Sequence, residues 1–452
     1  MTPTDPPPPA RKRKLLALSD VPSLTTGFAT VARELFPRWH ESGFFDEIWC
    51  FGIGYQGYPL TQWPWLKAIP AGTRGEPVWW AESNLQRFVN QASRQDGDGC
   101  YTHVWAMHDP FSLRPLAEPF FEMRKEPRCP ATVGYFPVDA PLRPDWVKIA
   151  EACDVPVAYT EQGRGEMVSA FTRKLDSLHV EAKEIAKQAQ AFRDRIEVIP
   201  HGVDTSTYYP MSEESRQAAR QRLWPKLTPE KFLIVNVNGH QRRKGLFQTL
   251  EIFAFLQRYH PEIDWQLYLH MPQSNASEGT DLWAQAETLG IRHDSILFGD
   301  NFFKAGAAAS SASTAKLNEI YNAADLFLTT THGEGWGLTV TEAMASGRPV
   351  AAPFHTSLGE ILDPSCAIAL PVMNHVVLPG DRDRPRPVVD AATSADLIYE
   401  AVKADRLRGL GFAGRDKMLA STYDWNQIAQ RWLDLFARCE RPVPRAELAA
   451  SD

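Results

Sequence analysis

The residues best equipped for chemistry lie in THGEGWGLTVTEAMASGRPV, Thr331 to Val350, where Glu334 and Glu342 stand eight positions apart around a glycine-rich turn. A carboxylate can accept both hydrogen bonds of a vicinal diol, as the acidic residue of a dinucleotide-binding fold does with a ribose. A complementary group precedes it. In NVNGHQRRKGLFQTL a basic loop carrying Arg242, Arg243 and Lys244 runs into Gly245 and a helical pattern. Cations beside a helix N-terminus suit phosphate, because free backbone N–H groups and the helix dipole add to the side-chain charge. Each signal alone is weak; an E-x7-E pair recurs by chance about once or twice in a chain of this size. The frame strengthens them, since both follow a strand pattern and open a helix pattern. The N–H groups of Gly335, Trp336, Gly337, Leu338 and Thr339 would point at an anion, with Glu334 on the loop before them and Glu342 just over one turn into the helix. One glutamate on a ribose and the other on the group beyond the phosphates is the shape of a nucleotide-sugar site.

The elements that must position these residues follow a βαβ rhythm. KLLALSD, FDEIWCFGIG, THVWAMHD, PATVGYFPVD and DVPVAYT read as strands ending in loops, with GFATVARELFPRWHESG a helix between the first two, and RIEVIPHGVD closes the segment. The rhythm restarts with KFLIVNVNG, GLFQTLEIFAFLQRY, WQLYLHM, SILFGD, TAKLNEIYNAA and DLFLTTT, the last of which delivers the chain to Glu334. Strands alternating with helices imply parallel sheets with ligands at their carboxyl ends. The expectation is α/β, with two doubly wound Rossmann-like domains facing a cleft. The polar, proline-marked stretch YYPMSEESRQAARQRLWPKLTP reads as the join. The expected units are a disordered Pro-rich arm (1–12), an N-terminal acceptor domain (13–207), a C-terminal nucleotide-sugar domain (208–415), a C-terminal helix that can return to the first domain (416–440) and a loose tail (441–452).

Composition bounds the function. A chain of 452 residues is too long for one ordinary core. Its net charge of -7 argues against holding nucleic acid by bulk electrostatics. The run RKRK, Arg11 to Lys14, follows a proline-rich opening and reads as a solvated flank; the LLAL after it is far too short for a signal-peptide core. A soluble, cytoplasmic protein is expected. Six cysteines without a C-x-x-C pair fit reduced, buried thiols, so neither a disulfide nor a metal site is expected.

EGWGLTVTEAMASGRPV resembles the signature of the family 4 retaining glycosyltransferases, and the likeness continues in IYNAADLFL, RRKG and VIPHGVDTSTYYP. It covers Lys231 to Pro353 well and the first half loosely. The resemblance implies a GT-B fold, with the nucleotide-sugar mainly on the second domain and the acceptor on the first. It implies that Arg243 and Lys244 neutralise the donor diphosphate, that Glu342 binds the ribose, and that Glu334 contacts the sugar beside the anomeric carbon. Gly335, Trp336, Gly337 and Leu338 would line the donor, and Gly27 in SLTTGFATVARE would approach it from the first domain. The sequence departs from the family pattern where His240 and Gln241 follow Gly239, which leaves open whether Arg242 or Arg243 meets the diphosphate. Where the family often places a histidine, GYFPVDAP offers Pro137 and Asp139. His108 in WAMHDPF is the substitute as a catalytic group, and Asp139 an acceptor contact. Two D-x-D tripeptides, Asp96–Asp98 and Asp381–Asp383, lie in turn-like sequence and read as solvated loops, not as the metal site of the other glycosyltransferase fold.

The expected function is metal-independent transfer of a sugar, with retention, from a nucleoside diphosphate carrier to a hydroxyl acceptor, with a UDP-sugar as donor and no further cofactor. A saccharide is the favoured acceptor. Eight of the fourteen tryptophans fall in the first 150 residues, several beside prolines where a ring can stack on a sugar or a base. A hydroxylated base in DNA, flipped from the duplex, is the alternative acceptor. The other rivals are an epimerase or phosphorylase on the same fold and a non-catalytic nucleotide-sugar- or glycan-binding protein.

Overall fold

The computed structural model describes residues 12–71, 101–126, 129–300 and 313–441. Most of the Pro-rich arm, the Asp96–Asp98 tripeptide, Trp79, Trp80, Cys100 and the tail beyond Arg441 lie outside the described residues.

Among the described residues, the first half forms a seven-stranded parallel sheet in the order β3-β2-β1-β4-β5-β6-β7, from β1 (Lys14–Asp20), β2 (Glu47–Ile53), β3 (Lys67–Pro70), β4 (His103–Met107), β5 (Ala131–Phe136), β6 (Val155–Ala158) and β7 (Glu197–Val198). β1, β4 and β5 are buried along almost their whole length, as strands covered on both faces must be. The helix Gly27–Glu41 opens after β1 on a Thr26 cap, whose hydroxyl accepts the Ala29 N–H at 3.0 Å.

The described residues of the second half form a six-stranded parallel sheet, β12-β9-β8-β13-β14-β15, from β8 (Phe232–Val237), β9 (Trp265–His270), β12 (Ile296–Phe298), β13 (Leu326–Leu328), β14 (Val350–Pro353) and β15 (Ala367–Leu370). A short ribbon, β10 (Ser274–Asn275) with β11 (Thr280–Asp281), follows β9. A hairpin, β16 (Val372–Val377) with β17 (Pro385–Val389), follows the edge strand β15. In each sheet the strand order reverses beside the first strand, and the loops leaving β1, β4 and β5 meet those leaving β8 and β13. That is the crevice in which doubly wound sheets hold ligands.

The last helix, Trp425–Cys439, packs on the first sheet. Trp432 meets Trp39 and Trp105 with ring centroids 6.1 and 5.8 Å apart, and the His103 ring bonds the Phe436 carbonyl. Trp432 is fully buried, so truncating it to alanine should cost about 3–5 kcal/mol. This helix ties the end of the chain to its beginning. The polar stretch after Tyr208 is not simply a linker: Glu213–Leu223 is a helix capped by Ser212, and Arg220 bonds Asp325 at 3.1 Å.

Candidate active site

Arg242, Arg243 and Lys244 occupy a 3-10 turn after β8 that ends at Gly245 in the left-handed region (φ 61). A side chain at Gly245 would collide with the Thr330 carbonyl, so the glycine lets this loop press against the one leaving β13. The turn points its cations in different directions. Arg242 faces outward onto Glu278, its Nε donating to the main-chain carbonyl at 3.1 Å. Arg243 faces inward, donating to the Gly333 carbonyl at 2.7 Å and reaching the Glu334 carboxylate at 3.5 Å. Lys244 Nζ lies 2.6 Å from Glu334 Oε1. Of the two arginines left open by the sequence, Arg243 is the one in contact with Glu334.

Glu334 is buried, and its loop is fastened from below. Its N–H donates to Thr356 Oγ1 at 3.1 Å, while Ser357 Oγ donates to the carbonyls of Glu334 and Trp336 at 2.9 and 2.7 Å. Burial opposes ionisation, but the Lys244 ammonium and the Arg243 guanidinium outweigh it and hold the Glu334 carboxyl below its usual range. The loop then turns through Gly337 (φ 104) into the helix Leu338–Ala345, which has no side-chain cap. The Val340 and Thr341 N–H groups donate to the Gly337 carbonyl at 3.0 and 3.1 Å, which leaves those of Leu338 and Thr339 to face an anion.

Glu342 sits in the same helix in a different setting. Its Oε2 accepts from the Tyr321 hydroxyl at 2.7 Å, and Tyr208 also bonds it. Burial is the largest influence and pushes its carboxyl up to about 7 despite the two tyrosines and Arg33. Glu334 is therefore a fixed anion and Glu342 a carboxyl poised near neutrality.

The first half meets this face closely. A Cβ on Gly335 would come within 2.7 Å of Pro137, one on Gly333 would strike the Asp139 carbonyl, and one on Gly27 would stand 3.6 Å from Leu338. Asp139 is engaged by cations of the second half: Arg384 at 3.0 Å, Arg386 at 3.3 Å and Arg243 at 3.6 Å. Burial opposes its charge, and these arginines together hold it below the usual carboxylate range. His108 follows β4. Its Nδ1 accepts the Asp109 N–H at 2.9 Å and its ring packs against Phe28 at 4.5 Å. Burial lowers it to about 4, so the ring is neutral at pH 7. Burial and then Asp139 raise the neighbouring Asp109 to about 6. Asp20, which accepts from the Thr26 hydroxyl, is likewise raised by burial.

The structure thus brings Arg243, Lys244, Glu334 and Asp139 into one ionic cluster, with Gly27 and Gly335 at the contact between halves. Glu342 lies apart on its tyrosines and His108 on the opposite wall. The reading of Asp381–Asp383 as a solvated loop is corrected. Asp383 is exposed, but Asp381 holds Arg384 and Arg386, both at 2.6 Å, because these buried arginines need a second counter-charge. The sequence reading also missed Asp109, Tyr208, Tyr321, Arg384 and Arg386. The HDP tripeptide and the alternating arginines of GDRDRPRP were the available signals.

Residues 232–384 match the family model described as Glycosyl transferases group 1. Among curated proteins, the D-inositol 3-phosphate glycosyltransferase of Xylanimonas cellulosilytica is 27% identical over 288 residues, 62% of this chain and 60% of that protein. The chain spans smaller shares of the next relatives. Among solved structures, sucrose-phosphate synthase of Thermosynechococcus elongatus has a TM-score of 0.67 at 16% identity, over 94% of this chain and 99% of that one. Anabaena HepE, solved in complex with UDP-glucose, has a TM-score of 0.65 at 16% identity over the same shares, 94% and 99%. Among the described residues no helix is long and apolar enough to cross a membrane. Two parallel Rossmann-like sheets meeting at their loop ends, alike over nearly the whole chain to these structures, make this a GT-B fold.

Proposed function

We propose that the protein is a retaining glycosyltransferase that moves a sugar from a nucleoside diphosphate, a UDP-sugar, to a hydroxyl of a saccharide acceptor. The observation that carries this reading is the inward-facing Arg243 and Lys244 beside the uncapped helix start at Leu338, with ionised Glu334 between them. Fixed cations and N–H groups stabilise a departing diphosphate without reorganising as its charge develops. They supply the positive charge that a metal supplies elsewhere, so the reaction is proposed to be metal-independent. The UDP-glucose complex of HepE and the sugar-phosphate chemistry in its relatives' names support the donor class and a saccharide-like acceptor.

In this reading the Glu342 carboxylate accepts from the ribose hydroxyls. Glu334, committed to Lys244, is a poor covalent nucleophile and acts by fixing the sugar and favouring positive charge at the anomeric carbon. Retention then requires the acceptor to enter on the face the diphosphate leaves. The acceptor oxygen bonds the anomeric carbon as the bond to the diphosphate breaks, and a leaving phosphate oxygen takes the acceptor proton. His108, neutral and on the first-half wall, is a hydrogen-bonding contact for the incoming sugar.

The test is a panel of nucleotide-sugars read by thermal protection, followed by product analysis with candidate saccharides, with and without chelator. Ligand binding to the native state raises its melting temperature by mass action. Protection by no nucleotide-sugar would sink the reading. Activity lost to chelator and restored by magnesium or manganese would remove metal independence, and transfer to hydroxylated-base DNA but to no glycan would replace the acceptor class.

A further inference from the structure

The β16–β17 hairpin leaves the second sheet at its edge and lies across onto the first half. Its tip runs through left-handed Gly380, Arg382 and Asp383 (φ 79, 55 and 61), a turn that non-glycine residues seldom adopt. The Arg382 guanidinium is 3.8 Å from the centroid of Phe111, and that of Arg384 is 5.2 Å from Trp146, both rings belonging to the first half. Below the tip, Arg386 is fully buried. Its Nη1 donates to the Asp139 carbonyl at 2.6 Å, and Arg384 Nη1 meets the Asp139 carboxylate at 3.0 Å. The hairpin is also tied to the glutamate loop, since the His332 ring bonds the Pro387 carbonyl at 2.8 Å.

An interface meant only to stay shut is better made of apolar side chains, because buried ions must first be stripped of water. An edge that opens and closes can use ions, which water solvates when the halves part. Cations over aromatic rings have the same reversibility. We propose that Arg384 and Arg386 are positioning residues for the transfer step: through Asp139 they hold the first-half loop on the glutamate loop and close that edge of the cleft to water. The hairpin thereby decides whether acceptor or water reaches the activated donor. Donor diphosphate drawing Arg243 to itself would leave Asp139 wholly to Arg384 and Arg386, so that the strap tightens as the donor binds. With the strap loosened, water's oxygen bonds the anomeric carbon, the bond to the diphosphate breaks, and water's proton passes to the departing diphosphate.

This inference rests on the proposed transfer activity, and its test separates the two. Arg384→Ala, Arg384→Lys and the exposed-tip variant Arg382→Ser are made in the full chain and checked for folding by circular dichroism, Arg382→Ser covering the case in which Arg384→Ala does not fold. Hydrogen exchange around residues 137–139 and 333–335 reads the contact without any substrate. Donor hydrolysis and sugar transfer are then measured side by side with UDP-sugar. The expected result is faster exchange in both segments and a several-fold rise in the ratio of hydrolysis to transfer, with donor KM little changed and Arg384→Lys restoring part of the ratio. Folded variants with unchanged exchange, or an unchanged ratio, would overturn the strap. If the wild type consumes no nucleotide-sugar, the functional reading falls while the exchange comparison still decides the contact.

Discussion

The two walls of the cleft carry charge in opposite ways. On the second-half wall, Glu334 is buried against Lys244 and Arg243, and paired charge outweighs burial, so its carboxyl is driven down. On the first-half wall, His108, Asp109 and Asp20 are buried with less compensation, and each is driven toward its neutral form, His108 to about 4 and Asp109 to about 6. Fixed charge is useful where charge develops on a leaving diphosphate. A neutral hydrogen-bonding ring such as His108 is useful where an uncharged hydroxyl must dock. Asp139 crosses the divide, belonging to the first half by its strand and to the second by its counter-ions.

The largest expected effect sits on the charged wall. Glu334→Gln keeps the shape and removes the charge; turnover should fall on the order of 100- to 1000-fold, about 3–4 kcal/mol, with UDP affinity nearly intact. Steady-state rates with calorimetric UDP binding would check it, and a variant that turns over normally would break the comparison. Next in size are Arg243→Ala and Lys244→Ala, each expected to weaken UDP binding by about 1.5–3 kcal/mol, the range for hydrogen bonds to charged groups. Unchanged affinity in both would remove the diphosphate from this turn.

Within the same wall, Glu342 is the exception, because burial outweighs its partners and raises its carboxyl to about 7. In the proposed function a ribose donates to its ionised form, so UDP affinity should rise with pH and level off above about 7, by up to tenfold per unit below that. The diphosphate titrates nearby, so the portion belonging to Glu342 is what Glu342→Gln removes. The sign for folding is opposite: a carboxyl raised in the folded state stabilises fully below its unfolded pKa, and that contribution is lost as pH rises through about 7. A pH series of melting temperatures, with and without UDP, should show the two trends diverging. The smallest effect belongs to Arg242, which faces outward onto Glu278 with a partly exposed side chain. Arg242→Ala should change UDP binding by less than about 0.5 kcal/mol; a loss matching that of Arg243→Ala would mean that the turn rearranges on binding.

The sequence carried the second-half wall better than the first-half wall for a physical reason. The turn at Arg242–Lys244 and the loop before Leu338 are each local, a strand end, glycines and a helix start within a few residues, and short-range patterns express such units directly. The ionic edge is not local. Asp139 and Arg384 are 245 residues apart, and in isolation GDRDRPRP looks like any solvated charged turn. The tyrosines that hold Glu342 were hidden in the same way, since Tyr321 stands inside the TAKLNEIYNAA pattern and Tyr208 in the polar join. A C-terminal helix that can return to the first domain is legible in sequence, but only the fold shows that Trp425–Cys439 meets Trp39 and Trp105.

The division of labour between the walls is tested most directly by titrating UDP calorimetrically into Lys244→Ala and His108→Ala side by side, with turnover measured on the same samples. Lys244→Ala is expected to lose UDP affinity by roughly tenfold or more, in line with a charged hydrogen bond, whereas His108→Ala should bind UDP like the wild type and lose turnover. Normal UDP binding by Lys244→Ala together with loss of binding by His108→Ala would contradict it.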